Sequence, residues 1–555
     1  MLPRVGKGAL FVRGCLSFAC ALCVLQERTK TAGCSSGRFK TCLGIKRPRE
    51  GEEGEGDKQG PCQYPFVIQG LLPPCSPFLA LSPSRPLGPC PHMRFFPGAM
   101  LALAAAATAA LAVPMERRAQ FPDPNDDPFY QQPSNVATYA NGQIIQSRKA
   151  DTDIGNSNKA QAFQLSYRTT NTQQQAQANV ATVWIPAKPA SPPKIFSYQV
   201  YEDSTQLNCA PSYSYLAGFD PPNKATTILD TSLIIGWALQ QGYYVLSSDH
   251  EGPRAAFIAG YEEGMAVLDG IRALQNFRHL PKDSPVGMYG YSGGAHATVW
   301  AESLAGSYAP EINIIATAHG GTPFSTKDTF TFINGGAFAG FAIAGVSGLA
   351  LVHPDMEAYI KPRLNAQGFK VFKQIRSRAF CIAQVVFTYP LTNVFNLVNE
   401  TDLLNQEPIR SILKRETLVQ SEASYDVPVV RAPRFIWHAA LDEIVPYAPA
   451  AKYVKEQCDK GAQIHFETYP IAEHISAEFF GLVPALWFLS QAYAGKAVKT
   501  VCGTSIPVIP GFTVPSADEV LGADLAKQLK GLSGKDLSGK SLSGKSLSGK
   551  DLPAL

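Results

Sequence analysis

Ser292 lies in a Gly-x-Ser-x-Gly stretch, between the apolar run "VGMY" and the helical segment "AHATVWAESLA". A serine hydroxyl becomes a nucleophile when a neighbouring base takes its proton and a third group orients that base. A strand that turns sharply into a helix presents such a hydroxyl at the edge of a sheet. The glycines of the turn, Gly290, Gly293 and Gly294, would also suit a turn that only packs closely. The strand–turn–helix context favours the chemical interpretation, with Ser292 as the nucleophile.

An acid and a histidine are expected after this serine, in that order. His474 lies in "PIAEHISAEFF", between a strand and a helix, which is the position of a catalytic base. For the acid, "RFIWHAALDEIVPY" places Asp442 and Glu443 in the turn after a strand, and Asp442 is favoured because it comes first. His296 is expected to be a surface or packing residue of the helix after the serine, and His465 suits a strand. Three further histidines precede the expected acid: His319, His353 and His438.

Hydrogen-bond donors must also stabilise the oxyanion that forms when the hydroxyl attacks an ester. The main-chain N–H of Gly293, the residue after the nucleophile, is one expected donor. The second donor should come from the loop after an early strand, here "YEDS" at residues 201–204. Asp203 suits this position only if it contributes its main-chain N–H while its side chain is neutral or points elsewhere. The residues alone leave this assignment open.

The segments that carry these residues alternate between apolar strand-like runs and helical stretches. The strand candidates are "ANVATVWIP", "PKIFSYQVY", "GYYVLSSDH", "SPVGMYGYS", "INIIATAHG", "APRFIWHAA" and "AQIHFETYP". Nearly continuous apolar strands separated by helices indicate a mostly parallel sheet covered on both faces. The predicted fold is therefore α/β, an α/β-hydrolase fold whose core comprises residues 119–324 and 426–525.

Residues 325–425 interrupt the alternation and are predicted to form a helical cap over the sheet. Within them, "FINGGAFAGFAIAGVSGLALV" is long enough for a transmembrane helix, but its five glycines, Asn334 and Ser347 favour a buried helical segment. The following stretch, "MEAYIKPRLNAQGFKVFKQIRSR", is predicted to be an exposed amphipathic helix.

The beginning of the chain has a different composition. Eight of the twelve cysteines precede Met93, and residues 1–92 show no helix or strand period, so we expect them to be disordered or not part of the natural product. From Met93, "MRFFPGAMLALAAAATAALAV" has the anatomy of a secretory signal peptide, at residues 93–112. We expect translation to begin at Met93, although "ALFVRGCLSFACALCVLQ" is a weaker rival signal. Residues 113–118 would then be a short pro-segment that ends in Arg117-Arg118.

Export also bears on the cysteines. Mature protein that begins near residue 119 contains an even number of them, which indicates two disulfides and leaves the pairing open among Cys209, Cys381, Cys458 and Cys502. Asn399, in "NET", is a candidate glycosylation site. Residues 526–555 form a low-complexity tail with Leu-Ser-Gly-Lys repeats, which predict a flexible segment.

Longer stretches resemble a known family. "YSGGAHATVWA", "SYQVYEDS", "CAPSYSYLAGFDPPNK", "GWALQQGYYVLSSDHEG", "AAFIAGYEEGMA", "FIWHAALDEIVPY" and "YPIAEHISAE" are similar to the fungal secretory lipases. The similarity runs from about Asp123 to Leu525. It implies that Ser292 is the nucleophile, Asp442 the acid and His474 the base.

The same resemblance implies that the main-chain N–H groups of Asp203 and Gly293 form the oxyanion hole. It also implies the disulfides Cys209–Cys381 and Cys458–Cys502, a helical lid between nucleophile and acid, and a narrow acyl tunnel that includes the block from Gly335 to Gly348. Family members have a C-terminal flap near the site, and the Leu-Ser-Gly-Lys repeats stand in its place here.

The sequence therefore predicts a secreted triacylglycerol lipase that works through an acyl-enzyme intermediate, without metal or cofactor. Its partner would be a lipid ester at an oil–water interface, and we expect a monomer that does not insert stably into membranes. A net charge of +4 over 555 residues argues against a nucleic-acid partner. A short-chain carboxylesterase or a serine peptidase is the alternative among enzymes, because the fold does not determine the substrate. A binding protein with an inactive site is the alternative outside enzymes, and complete triad candidates in the required order argue against it.

Overall fold

A ten-stranded sheet is the framework of the protein. The structure, a computed structural model, describes residues 120–155, 158–218, 230–378, 380–498, 500–507 and 516–532. The expectations for residues 1–92, the signal peptide, the pro-segment and the repeats after residue 532 lie outside the described residues. Residues 526–532, predicted to begin the flexible tail, belong instead to the helix Ala523–Leu532, because the side chains of Ala526 and Leu529 pack into the apolar core. The strands are β1 Ile144–Ala150, β2 Gln161–Thr170, β3 Ala176–Ile185, β4 Ile195–Gln199, β5 Tyr244–Ser248, β6 Val286–Tyr291, β7 Ile314–Gly320, β8 Arg434–Ala439, β9 Ile464–Tyr469 and β10 Val501–Pro507.

The order of the strands is β1-β2-β3-β5-β4-β6-β7-β8-β9-β10. The pairs β1–β2, β2–β3 and β3–β5 are antiparallel, and all pairs from β5 to β10 along the sheet are parallel. The predicted α/β-hydrolase fold with a mostly parallel sheet is confirmed. Because the carboxyl ends of parallel strands lie along the same edge, the loops after β4, β6, β8 and β9 meet there.

Helices cover both faces of this sheet, as the alternation of buried side chains along β6 requires. Met288 packs into the apolar core on one face, and Tyr289 packs into the core on the other. The α-helices are α1 Pro211–Ser214, α2 Thr231–Gln240, α3 Gly260–Arg278, α4 Gly293–Tyr308, α5 Thr326–Ile333, α6 Ala339–Val352, α7 Pro354–Ile360, α8 Ala366–Ile375, α9 Ile382–Thr388, α10 Ile409–Arg415, α11 Tyr447–Asp459, α12 His474–Tyr493, α13 Ala517–Leu521 and α14 Ala523–Leu532.

The helices divide between the two faces. Helices α2, α12, α13 and α14 pack on the face of Tyr289, whereas α3, α4 and α11 pack on the opposite face. In the described part of the chain, α12 is the one helix long and apolar enough to cross a membrane. Most of its apolar window is buried against β7 and β8, which is the arrangement of a core helix.

Helices α5 to α10 lie between β7 and β8 and share an apolar core of their own. Within it, α6 is almost entirely buried, as the sequence predicts for the glycine-rich segment. The predicted single helix after it is divided into α7, a short 3-10 turn at Lys361–Arg363, and α8. Pro362 interrupts the helix because its nitrogen has no proton to donate, and the side chain of Asn365 starts α8 by accepting from two main-chain N–H groups.

Two disulfides tie distant segments together. Cys209 is bonded to Cys381, which joins the loop after β4 to the start of α9, and their Cα atoms lie 5.6 Å apart. Cys458 is bonded to Cys502, which joins α11 to β10, with a Cα separation of 5.4 Å.

Candidate active site

Ser292 stands in the turn between β6 and α4, with φ of 53° and ψ of −122°. A residue other than glycine rarely adopts a positive φ, and such a strained conformation persists only where the surrounding structure holds it. The main-chain N–H of Ser292 donates to the carbonyl of Gly320 at 3.0 Å, and its carbonyl accepts from His296 at 3.0 Å. These bonds hold the hydroxyl at the edge of the sheet, ahead of the helix.

The structure brings the three predicted triad residues together. His474 Nε2 lies 2.9 Å from Ser292 Oγ, and His474 Nδ1 lies 2.8 Å from Asp442 Oδ2. With the proton on Nδ1 shared with Asp442, Nε2 is free to accept the proton of the serine hydroxyl. This arrangement has the geometry of a nucleophile, a base and an orienting acid.

Main-chain donors orient Asp442 in turn. Its Oδ1 accepts from the N–H groups of Ile444 at 3.0 Å and Val445 at 2.7 Å. Glu443, the alternative acid, instead accepts from the main-chain N–H of His474 at 3.0 Å and so helps to place the helix that carries the base. Asp442 is therefore the carboxylate that faces the imidazole.

Asp442 and His474 stabilise each other's charged forms. Burial alone would raise the pKa of Asp442, but the attraction and hydrogen bond of His474 outweigh it, so the pKa is lowered. Burial alone would lower the pKa of His474, but the charge of Asp442 and their hydrogen bond outweigh burial, so this pKa is raised. The imidazolium that forms during proton transfer is therefore stabilised where it is needed.

Two further side chains support the base and the acid, and the sequence analysis assigned this role to neither of them. The Tyr291 hydroxyl donates to the main-chain carbonyl of His474. His438 is fully buried, with Nε2 3.0 Å from the carbonyl of Val445 and 3.4 Å from Asp442 Oδ2. Burial chiefly lowers the pKa of His438, so it remains a neutral donor beside the acid.

Asp203 and Gly293 adjoin the nucleophile, and both line the cavity at Ser292. Asp203 has φ of 48°, again in the left-handed region. Gly293 is the first residue of α4, so its N–H has no partner within the helix and is available to a ligand. The two predicted oxyanion donors are thus neighbours in space.

The carboxyl group of Asp203 is buried and its Oδ1 lacks a hydrogen-bond partner. Burial, together with the nearby charge of Glu263, raises the pKa of Asp203 to about 7. The side chain is therefore largely neutral below that pH, which removes the repulsion that a carboxylate would exert on an oxyanion.

The remaining histidine candidates stand apart from the nucleophile's hydroxyl. His296 is buried and not on the helix surface, and its imidazole bonds to Glu263 and Trp300. His319 bonds to Thr322, His353 to Glu416 and His465 to Glu467.

An apolar cavity begins at Ser292 and extends among the cap helices. Its empty volume is about 800 Å³, the open mouth included. Side chains of α5, α6 and α10 form much of its wall, among them Phe330, Phe341, Val346 and Leu413. The cavity suits an apolar chain whose polar end lies at the serine. Among the described residues, no group of three or more metal-ligating side chains is placed to hold an ion.

The glycines of the predicted tunnel block have different roles. Gly345 lines the cavity, and a side chain there would enter free space next to Ile258. At Gly348, by contrast, a β-carbon would come within 2.5 Å of the carbonyl oxygen of Phe257. Gly345 thus leaves room in the cavity, whereas Gly348 allows α6 to pack directly on the main chain of the core.

Asn399, the candidate glycosylation site, is exposed. It lies in the cap segment between α9 and α10, where its main-chain N–H donates to the carbonyl of Arg363 at 2.7 Å. The position leaves the side-chain amide accessible.

Comparison with known proteins identifies the family of the chain. The family model of secretory lipases matches residues 221–500. Lipase A of Moesziomyces aphidis is 69% identical over 437 residues, which cover 78% of this chain and 95% of that protein. A secreted triacylglycerol lipase of Malassezia furfur, LIP1, is 36% identical over 389 residues, covering 68% of this chain and 78% of that protein.

The crystal structure of Candida antarctica lipase A in its closed state superposes with a TM-score of 0.74. It is 70% identical in sequence and covers 75% of this chain and 97% of that chain. The chain therefore belongs to the secretory lipase family and is a secreted lipase of the α/β-hydrolase fold.

Proposed function

We propose that this lipase is a triacylglycerol lipase in which Ser292, His474 and Asp442 form the catalytic triad. His474 Nε2 takes the proton as Ser292 Oγ attacks the ester carbonyl, and the main-chain N–H groups of Asp203 and Gly293 stabilise the oxyanion. The imidazolium then gives its proton to the leaving alcohol, and an acyl-serine remains. Water, activated by the same imidazole, attacks the acyl-serine and releases the fatty acid.

The cavity is the observation that carries the proposal. Its wall over the cap helices is mainly apolar, with Thr326 and Thr329 as the polar residues there, and Ser292 and Asp203 line the same cavity. A long acyl chain would replace water along this wall, and each buried CH₂ group would contribute about 0.8 kcal/mol. A short acyl group would contact only part of this wall, so the wall favours long-chain esters over short esters and peptides.

Exposed apolar side chains next to the site support a lipid surface as the partner. Leu441, Ile471 and Ile475 are 64%, 71% and 53% exposed, and they adjoin Asp442 and His474 in the chain. On the cap, Phe387 and Leu391 are 82% and 73% exposed. We propose that these side chains dock the enzyme on neutral lipid, because transfer of their apolar surface from water into lipid is favourable.

Two measurements test the proposal. Hydrolysis of glycerol esters of octadecenoate should proceed with a larger kcat/KM than hydrolysis of the butyrate esters. An enzyme that hydrolyses no long-chain ester would contradict the proposal.

Binding of the inactive variant Ser292→Ala to a triacylglycerol emulsion should weaken when Ile471→Ser or Phe387→Ser is added. The matched control is Phe369→Ser, which removes a side chain that is 56% exposed on α8. An equal effect of the control would contradict docking by the proposed side chains.

We further propose that helices α5 to α10 act as the lid, that the enzyme is a monomer, and that Asn399 carries an N-linked glycan. Sedimentation of the secreted enzyme should give the mass of one chain. Endoglycosidase treatment should lower the mass of the wild type and leave Asn399→Gln unchanged. A wild type that does not change in mass would contradict the assignment of the glycan.

A further inference from the structure

Ile258 lies in the wall of the cavity with a main-chain φ of 67°. A β-branched residue in the left-handed region is strained and keeps this conformation only when its surroundings hold it there. Ser292 and Asp203, which line the same cavity, also have positive φ. At Ser292 the strained conformation belongs to the turn that presents the nucleophile. The strain at Ile258 requires a separate explanation.

A buried carboxylate holds Ile258 in place. The N–H of Ile258 donates to Glu263 Oε1 at 2.9 Å, and Glu263 Oε2 lies 2.6 Å from His296 Nδ1. The indole N–H of Trp300 donates to His296 Nε2 at 3.0 Å. Glu263 is 1% exposed, as is His296, and Trp300 is 2% exposed. Water therefore does not compete for these bonds, which form a continuous chain from Trp300 to Ile258.

The donors and acceptors of this chain can be assigned from its chemistry. An indole N–H can only donate, so His296 Nε2 must accept and carries no proton. The single proton of the neutral imidazole is then on Nδ1 and points at Glu263. Because the Ile258 N–H also points at it, Glu263 receives two donors and fits as an ionised carboxylate, which accepts through both oxygens.

Both ends of the chain lead to the active site. His296 lies one turn after Ser292 on α4 and donates its main-chain N–H to the Ser292 carbonyl at 3.0 Å. At the other end, a β-carbon at Gly345 of α6 would lie 3.5 Å from Ile258 Cγ2, so the side chain of Ile258 stands opposite the cap helix. Ile258 also belongs to the apolar core of the cap. The chain of hydrogen bonds thus connects the nucleophile's helix to the wall of the cavity.

We propose that Glu263 is a positioning residue: by holding Ile258 in its strained conformation against α6, it shapes the cavity that receives the acyl chain and sets the preference for chain length. The inference rests on the proposed use of this cavity by the acyl group. Glu263 acts through Ile258 and does not touch the reacting atoms, so its loss should affect long acyl chains more than short ones.

The variant Glu263→Gln tests this role because an amide cannot accept at both ends. If the glutamine NH₂ group faces His296, it points at the proton on Nδ1. If that proton moves to Nε2, the Nε2–H then points at the N–H of Trp300. If the NH₂ group faces Ile258, two donors meet there instead. One buried donor is left without an acceptor in every arrangement, and movement of Ile258 relieves the conflict.

The expected result is a loss of chain-length selectivity. The ratio of kcat/KM for octadecenoate to that for butyrate should fall about tenfold in Glu263→Gln. The free energy released when a strained residue relaxes corresponds to a change in rate of about this size. The fall should appear mainly in KM for the long ester. The rate of labelling of Ser292 by a short-chain phosphonate should change by the same factor as kcat/KM for butyrate, because removing the charge of Glu263, which raises the pKa of Asp203, acts on all acyl chains alike.

A second substitution should restore the ratio. In Glu263→Gln combined with Trp300→Phe, the indole donor is gone, so His296 can carry its proton on Nε2, facing the phenyl ring, and accept from the glutamine NH₂ at Nδ1. The glutamine oxygen then accepts from Ile258 again, and the ratio should return to within about threefold of the wild type. Glu302→Gln on α4 is the matched control, because it removes a different buried carboxylate, one that accepts from Arg434 at 3.1 Å. The control should leave the ratio unchanged.

Three results would overturn the inference. They are an unchanged ratio in folded Glu263→Gln, an equal fall in Glu302→Gln, and a double variant no better than the single one. If Glu263→Gln cannot be obtained folded, the double variant decides: a folded enzyme with the wild-type ratio supports the role, and a folded enzyme with a tenfold lower ratio overturns it. A wild type without preference for long chains would overturn the use of the cavity as well, which distinguishes the two proposals.

Discussion

Asp203 and Gly293 lie so close that a β-carbon at position 293 would come within 1.9 Å of Asp203 Oδ1. The carboxyl group therefore occupies the space that a side chain at position 293 would fill. It also lies next to the main-chain N–H groups that we propose as the oxyanion hole. The ionisation of Asp203 should consequently influence catalysis.

The pH dependence of Asp203→Asn tests that influence. Burial and the charge of Glu263 raise the pKa of Asp203 to about 7, so above this pH the wild type places a negative charge beside the oxyanion. The asparagine stays neutral and keeps the main-chain N–H. The ratio of kcat for the variant to kcat for the wild type should rise as the pH increases through 7. A ratio independent of pH between 6 and 9 would contradict the assignment.

Thermal unfolding of the same variant gives a second, independent result. A carboxyl group whose pKa is higher in the folded than in the unfolded protein destabilises the fold as the pH rises from the unfolded value, about 4, to the folded value. The melting temperature of Asp203→Asn minus that of the wild type should therefore increase from pH 4 to pH 7 and then remain constant. A difference that decreases over this range would mean that Asp203 is ionised in the folded protein.

Asp442→Asn should inactivate the enzyme without unfolding it. The asparagine oxygen can still accept from Val445, but its NH₂ group then faces His474 Nδ1 and favours the tautomer with the proton on Nε2. That tautomer cannot accept the serine proton, so kcat should fall about 10³- to 10⁴-fold. The measurement is hydrolysis of a soluble ester by purified variant, with Glu443→Gln as the control. A larger loss in the control would identify Glu443 as the acid.

Gly345→Phe should block the cavity. The glycine faces free space beside Ile258, so a phenyl ring there would occupy the volume proposed for the acyl chain. Activity on octadecenoate esters should fall at least tenfold while activity on acetate esters is retained. Gly306→Ala, on α4, is the control, because a β-carbon there meets no neighbour within 4 Å. Equal loss on both esters would place the acyl chain elsewhere.

Removal of the Cys209–Cys381 bond should lower stability more than activity. The bond closes a loop between residues 172 positions apart, and the loss of so long a closure destabilises a fold by about 2–5 kcal/mol. The variant Cys209→Ala/Cys381→Ala should therefore unfold at a lower urea concentration and keep its kcat at 25 °C. A variant as stable as the wild type would show that packing of the cap suffices without this bond.

The sequence predicted that the three proposed triad residues would lie together, because each occupies a position that a parallel sheet defines. Ser292 follows a strand in a recognisable motif, and Asp442 and His474 follow the next strands in the required order. Strands β3 to β9 were also predicted, because several of them are nearly continuous apolar runs. Strands β1, β2 and β10 were not among the candidates, because "IIQSRKA", "QAFQLSYRTT" and "VCGTSIP" contain many polar or turn-forming residues.

Features that depend on the main-chain conformation could not be predicted from the sequence. The strained turn at Ile258 contains no residue type that marks a left-handed conformation, and its partner Glu263 looks like an ordinary residue in the first turn of a helix. His296 was predicted to be a surface or packing residue, yet it is a buried link in a chain of hydrogen bonds. Such roles follow from which donors and acceptors face one another, and that arrangement arises only in the folded chain.

The most direct test of the account is labelling of the secreted enzyme with a long-chain alkyl phosphonate, followed by peptide mapping. We expect one phosphonyl group per chain, on Ser292, with loss of ester hydrolysis in proportion to the labelling. Ser292→Ala should take up no label, and His474→Ala should label far more slowly because the hydroxyl then lacks its base. Label on a different residue, or hydrolysis by Ser292→Ala, would contradict the proposed mechanism.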